Sequence, residues 1–179
     1  MRVAILIVSD RCSRGEAKDE TGPRLRTALA GVGASVVDLV LVPDELERVQ
    51  AELVRFCDQV GADVVFTSGG TGLGPRDVTP EATEAVLHRR APGIAEAIRA
   101  QSLTHVRTAM LSRGSAGLRG RTLIVNLPGS PRGALQCLEI VLPVLDHAVR
   151  MIEGGGHGAE ASCDGSAAPG VAGQPVAPA

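Results

Sequence analysis

Short apolar runs alternate with longer stretches in which apolar residues recur every three or four positions. RVAILIV (2–8), SVVDLVLV (35–42), DVVFT (63–67) and TLIVN (122–126) are rich in Val and Ile and predict strands. The first and last are almost continuously apolar, as expected for parallel strands covered on both faces. Between them, Leu46, Val49, Leu53, Phe56 and Val60 form one stripe of a helix over 45–60, and Leu25, Leu29 and Val32 form another. A last helix begins after Pro131, with Leu135, Leu138, Leu142, Leu145, Val149 and Ile152 on one face. Pro143 is expected to kink or split it. This alternation predicts an α/β three-layer sandwich, a mainly parallel sheet with helices on both faces. The domain is expected to span 1–153. From 154 to 179 the chain turns to Gly, Ala, Ser and Pro and is expected to be a disordered tail.

Ligands of open parallel sheets bind beyond the C-terminal ends of the strands. The four segments that follow the predicted strands begin Ser9-Asp10-Arg11, Pro43-Asp44-Glu45, Ser68-Gly69-Gly70-Thr71-Gly72 and Leu127-Pro128-Gly129-Ser130-Pro131. In a parallel sheet they converge on one edge.

The third, within TSGGTGLGPRDVTP (67–80), is a candidate phosphate cradle. It is not a P-loop, because GxxxxGK(S/T) requires a lysine and Lys18 is the only lysine of the chain. It is not the dinucleotide fingerprint GxGxxG, because counting from Gly70 the third glycine position holds Pro75. What remains is a glycine-rich turn whose backbone N–H groups can receive an anion, with Arg76 adding a charged fork. Thr79 and Pro80 predict a helix start, with Thr79 as cap. Asp77 has a local reading, as a turn residue or a partner of Arg76, and a functional one, as a carboxylate that shares a divalent cation with phosphate oxygens. Asp44 with Glu47 resembles a capping box, the local alternative to a functional role. Ser130 fits a helix cap and a phosphate ligand equally.

Composition narrows the function further. A formal net charge of −2 and only two aromatic residues, Phe56 and Phe66, argue against nucleic acid and anionic membrane as partners. Cys12, Cys57, Cys137 and Cys163 form no CxxC pair or zinc spacing, and are expected to be idle or buried thiols. With no signal-peptide pattern and no run that spans a bilayer, a cytoplasmic location is the expectation. The four histidines lack metal spacing, and Ser68 lacks a GxSxG context. Arg107, Arg113, Arg119 and Arg121 are expected on a solvated face.

SDRCSRGEAKDETGP (9–23), VPDE (42–45), TSGGTGLGPRDVTPEAT (67–83) and LPGSPRGA (127–134) stand in an order and spacing that resemble the Mog/MoaB family of molybdenum-cofactor biosynthesis. That family is related to the G domains of gephyrin, and the resemblance covers about 1–153. It implies a molybdopterin adenylyltransferase that takes ATP and molybdopterin as substrates, uses Mg²⁺, and releases pyrophosphate. It also implies a homotrimer and a downstream molybdate-insertion protein. By motif, Asp77 resembles the acidic residue near the metal, and Asp44 a second acidic residue required for activity. Ser68, Gly69, Gly70, Thr71, Gly72, Arg76 and Thr79 resemble the nucleotide-contacting loop. Ser9, Arg11, Pro128, Gly129, Ser130 and Pro131 resemble the pocket walls. Two other readings stay open: a non-catalytic MoaB-type molybdopterin-binding protein, and a scaffold that uses the fold for assembly.

Overall fold

The computed structural model describes residues 1–155. In chain order the elements are β1 (Arg2–Val8), α1 (Asp10–Ser13), α2 (Thr21–Gly31), β2 (Ser35–Val42), α3 (Leu46–Arg55, continued by a wider turn Phe56–Val60) and β3 (Val64–Ser68). Then come α4 (Thr79–Val86), β4 (Arg89–Arg90), α5 (Pro92–Ser102), a 3-10 turn (Arg107–Leu111), β5 (Ala116–Arg119), β6 (Thr122–Leu127) and α6 (Pro131–Ile152). The sheet order is β2-β1-β3-β6-β5-β4. The first four strands run parallel, and β5 and β4 are antiparallel additions at one side.

Alternation of side chains along each strand divides the apolar residues between two faces. Val3, Ile5 and Ile7 of β1, with Phe66, Val125 and Leu127, pack under α2, α5 and α6. Ala4, Leu6 and Val8, with Val65 and Ile124, pack under α3 and α4. The expected three-layer α/β sandwich is therefore present, and all four predicted strands are found within a residue of their expected bounds.

Two helical expectations change. α6 is one helix from Pro131 to Ile152 and is not split at Pro143. Leu138 and Val141 before the proline and Leu145 after it are all buried in the same core. Packing on both sides outweighs the lost hydrogen bond, which costs about 3 kcal/mol in an exposed helix. Val32 is not part of the α2 stripe; it lies past the helix end and is exposed. β4, β5 and α5 carried no distinct pattern, since β4 is two arginines and β5 is AGLR. The tail expected from 154 onward lies outside the described residues beyond Gly155. No helix of the described residues is long and apolar enough to cross a membrane.

Register aligns the C-terminal ends of the parallel strands. Val8 stands opposite Val42, Ile7 opposite Ser68, and Ser68 opposite Leu127. From β1 the chain goes first to β2 on one side and later to β3 on the other, so a topological switch lies between β1 and β3. A crevice opens at such a point.

Candidate active site

Gly69 and Gly70 occupy that crevice directly after β3. Gly69 has φ +110°, and a β-carbon there would run into the Val8 carbonyl oxygen. Gly70 has φ +60°, and a β-carbon there would fall against Thr79 Oγ1 and within 2.9 Å of Asp44 Oδ1. Only glycine lets this loop turn so close to the end of β1. Its root is tied to the neighbouring strand end: Ser68 Oγ donates to the Pro128 carbonyl at 2.9 Å, and Gly69 N to the Leu127 carbonyl at 3.2 Å.

Two cavities flank the loop. The smaller, of about 280 Å³, collects Ser9, Arg11, Asp44, Ser68, Gly69, Gly70, Asp77 and Gly129. The larger, of about 440 Å³, takes Thr71, Gly72, Pro128 and Ser130, with walls from α5, the 3-10 turn and α6. Ile98, Val106 and Leu111 make part of that wall apolar, as suits a flat ring. Three of the expected residues line neither cavity. Arg76 is exposed at the rim, Thr79 is buried beneath Gly70, and Pro131 opens α6.

The structure also decides the local alternatives. Asp44 does not cap α3, whose N-cap is Glu45 without a side-chain hydrogen bond. Instead, Asp44 Oδ2 accepts from Asp10 N at 2.7 Å, and Asp10 Oδ1 accepts from Asp44 N at 3.1 Å. This reciprocal pair joins the segments after β1 and β2. Thr79 is likewise not the cap of α4; that position is Val78. Asp77 Oδ2 accepts from Gly74 N at 2.8 Å, so it is a turn residue that also faces the smaller cavity. Arg76 does not pair with it but reaches Asp10 through two hydrogen bonds of 3.0 Å. Ser130 caps α6 by accepting from Gly133 N, and lines the larger cavity as well.

Three carboxylates thus share a small space in unequal surroundings. Arg76 holds Asp10 below the ordinary carboxylate range. Burial pushes Asp44 up, and the charges of Asp10 and Asp77 push in the same direction, against the Asp10 amide hydrogen bond. Among the described residues no three His, Cys, Asp or Glu side chains converge as a self-sufficient metal site. The donor set suits Mg²⁺, which commonly takes one or two carboxylates and completes its shell with phosphate oxygens and water.

Sequence reasoning missed several contributors. Asp10 was visible in the first segment but had no motif to mark its role as the joint of three segments. Asn126 is buried at the end of β6. It donates to Thr67 Oγ1 and Thr83 Oγ1 at 2.9 Å each, and accepts from Ser115 N at 3.1 Å, binding β3, β6 and α4 together. Nor do the arginines of 107–121 form one solvated face. Arg119 pairs with Asp58 and donates to the Val86 carbonyl, and half-buried Arg113 donates to the glycine loop.

Comparison with known proteins agrees with this fold. Residues 4–147 match the family model described as "Probable molybdopterin binding domain". The chain belongs to that family. The molybdopterin adenylyltransferase of Helicobacter pylori is 40% identical over 156 residues, 86% of this chain and 89% of that protein. The Escherichia coli molybdopterin adenylyltransferase is 39% identical over 141 residues, covering 78% and 72%. Among solved structures, the molybdopterin biosynthesis enzyme MoaB of Thermus thermophilus is 52% identical with a TM-score of 0.81, covering 86% of this chain and 96% of that one. The family match runs from β1 well into α6 and so contains both cavities.

Proposed function

We infer that this protein is a molybdopterin adenylyltransferase, which transfers AMP from ATP to the terminal phosphate of molybdopterin and releases pyrophosphate. The observation that carries this reading is the pair of cavities on either side of Gly69–Gly72, one lined by carboxylates and glycine amides, the other partly apolar. It is supported by the family and by relatives bearing that name.

The chemistry asks little of a general base, because the nucleophile is an oxygen of an already ionised phosphate. It attacks the α-phosphorus of ATP, the bond to the bridging oxygen breaks, and pyrophosphate leaves. The protein must hold two anions in line and offset their repulsion. The amides of Gly70–Gly72, together with Arg11 and Arg76, supply positive potential at the sheet edge. Asp44 and Asp77 are the residues that would hold Mg²⁺, which neutralises phosphate charge when bound. The larger cavity receives one of the two ring systems. A homotrimer, a cytoplasmic setting and delivery of product to a molybdate-insertion protein complete the proposal.

Purified protein with ATP, molybdopterin and Mg²⁺ should release pyrophosphate, and omission of any one should stop it. Asp77→Asn keeps an oxygen for Gly74 N and should fold normally, while losing about 100-fold or more in turnover. Tight pterin binding with no pyrophosphate would instead identify a non-catalytic binding protein and overturn the reading.

A further inference from the structure

Arg113 sits where the segment walling the larger cavity returns toward the sheet, immediately after Leu111 and Ser112. Its backbone N–H donates to the Thr71 carbonyl at 2.9 Å, and its Nε to the Gly72 carbonyl at 2.6 Å. The two terminal nitrogens reach the Asp77 carbonyl and the Glu81 carboxylate in the first turn of α4. One residue therefore holds both ends of the loop 71–77 and the helix that follows it. The guanidinium draws together the carbonyls of Gly72 and Asp77 and the Glu81 carboxylate, while the Thr71 carbonyl is held by the backbone N–H. A planar fork with several fixed donors can do this, and a lysine ammonium cannot match its geometry.

We propose that Arg113 is a positioning residue for the transfer reaction: it fixes the Asp77 carboxylate relative to the larger cavity, and so sets the register between the two substrates. Arg113 lines neither cavity and acts through Asp77. The kinetic consequence rests on the adenylyl-transfer reading; the clamp itself does not.

The test uses the full chain with Arg113→Lys, Arg113→Gln, Asp77→Asn and the double variant Arg113→Gln/Asp77→Asn. Arg113→Gln should lower kcat about 30-fold with KM for ATP changed less than about threefold, and Arg113→Lys should restore little of it. In the Asp77→Asn background the Arg113 substitution should cost nothing further, because the residue it positions is already lost. Losses that multiply in the double variant would overturn the proposal. So would a Tm decrease with kcat per folded molecule unchanged. Hydrogen exchange without ligands tests the clamp apart from catalysis. Amides 72–78 should exchange at least about tenfold faster in Arg113→Gln, with β1 and β6 unaffected. Equal exchange rates would refute the clamp even in an active enzyme. Faster exchange together with a wild type that releases no pyrophosphate would retain the clamp and reject the assigned reaction.

Discussion

The guanidinium of Arg76 donates through Nε and a terminal nitrogen to the two carboxylate oxygens of Asp10, each bond 3.0 Å long, across 66 residues of sequence. Asp10 in turn is locked to Asp44 by the reciprocal amide–carboxylate pair. The positive charge at the rim of the smaller cavity is thus engaged by an acid, and an incoming polyphosphate must compete for it.

That competition predicts the behaviour of Asp10→Asn. The amide keeps an oxygen for Asp44 N, removes one negative charge from the cavity and loosens Arg76. ATP should bind about fivefold more tightly at low ionic strength, with the gain fading as salt rises. Arg76→Ala should abolish that gain. Titration calorimetry of both variants and their combination checks it. Unchanged affinity in Asp10→Asn would place Arg76 outside nucleotide recognition.

Thr79 makes a prediction with a diagnostic sign. Its hydroxyl is buried and has no hydrogen-bond partner among the described residues, and it lies against Gly70 beside Asp44. An unsatisfied buried hydroxyl costs roughly 1–3 kcal/mol. Thr79→Val keeps the shape and removes that cost, so the ligand-free protein should melt about 2–4 °C higher. Turnover should change less than about threefold, because Thr79 lines neither cavity and supports Gly70 from beneath. Thr79→Ser should stay near wild type in turnover. A lower melting temperature for Thr79→Val would show that the hydroxyl is already satisfied in the free protein.

The alkaline limb of stability belongs to the thiols. Burial pushes Cys57 up from 9.0 to about 11, and burial also raises Cys137. Both folded-state values exceed the unfolded ones, so each contribution is complete below about pH 9 and is lost at higher pH, that of Cys57 as pH rises through about 11. The chain has no tyrosine and one lysine, so few other groups titrate in that window. Denaturant midpoints under reducing conditions should decline from about pH 9 to about 11, and Cys57→Ala should flatten part of the slope. An identical slope in that variant would remove Cys57 from the account.

Periodicity and turn chemistry carry a great deal in this chain. The runs RVAILIV and SVVDLVLV have no alternative to strands, and the stripe through Val49, Leu53 and Phe56 must find an apolar partner. The glycines of 69–72 were conspicuous because they fit neither standard phosphate-loop pattern. The sequence alone therefore determined the α/β sandwich, the edge at which the two cavities open, and most of the residues lining the smaller one. Pairings between distant residues are of another kind. Whether Arg76 meets Asp77 next to it or Asp10 far away, whether Asp44 caps α3 or grips Asp10, and whether Arg113 faces water or the glycine loop depend on strand register and order. Each local alternative was chemically sound in isolation. Aligning the ends of β1, β2, β3 and β6 within one edge brought better partners within hydrogen-bond reach, and only the tertiary structure could make that choice.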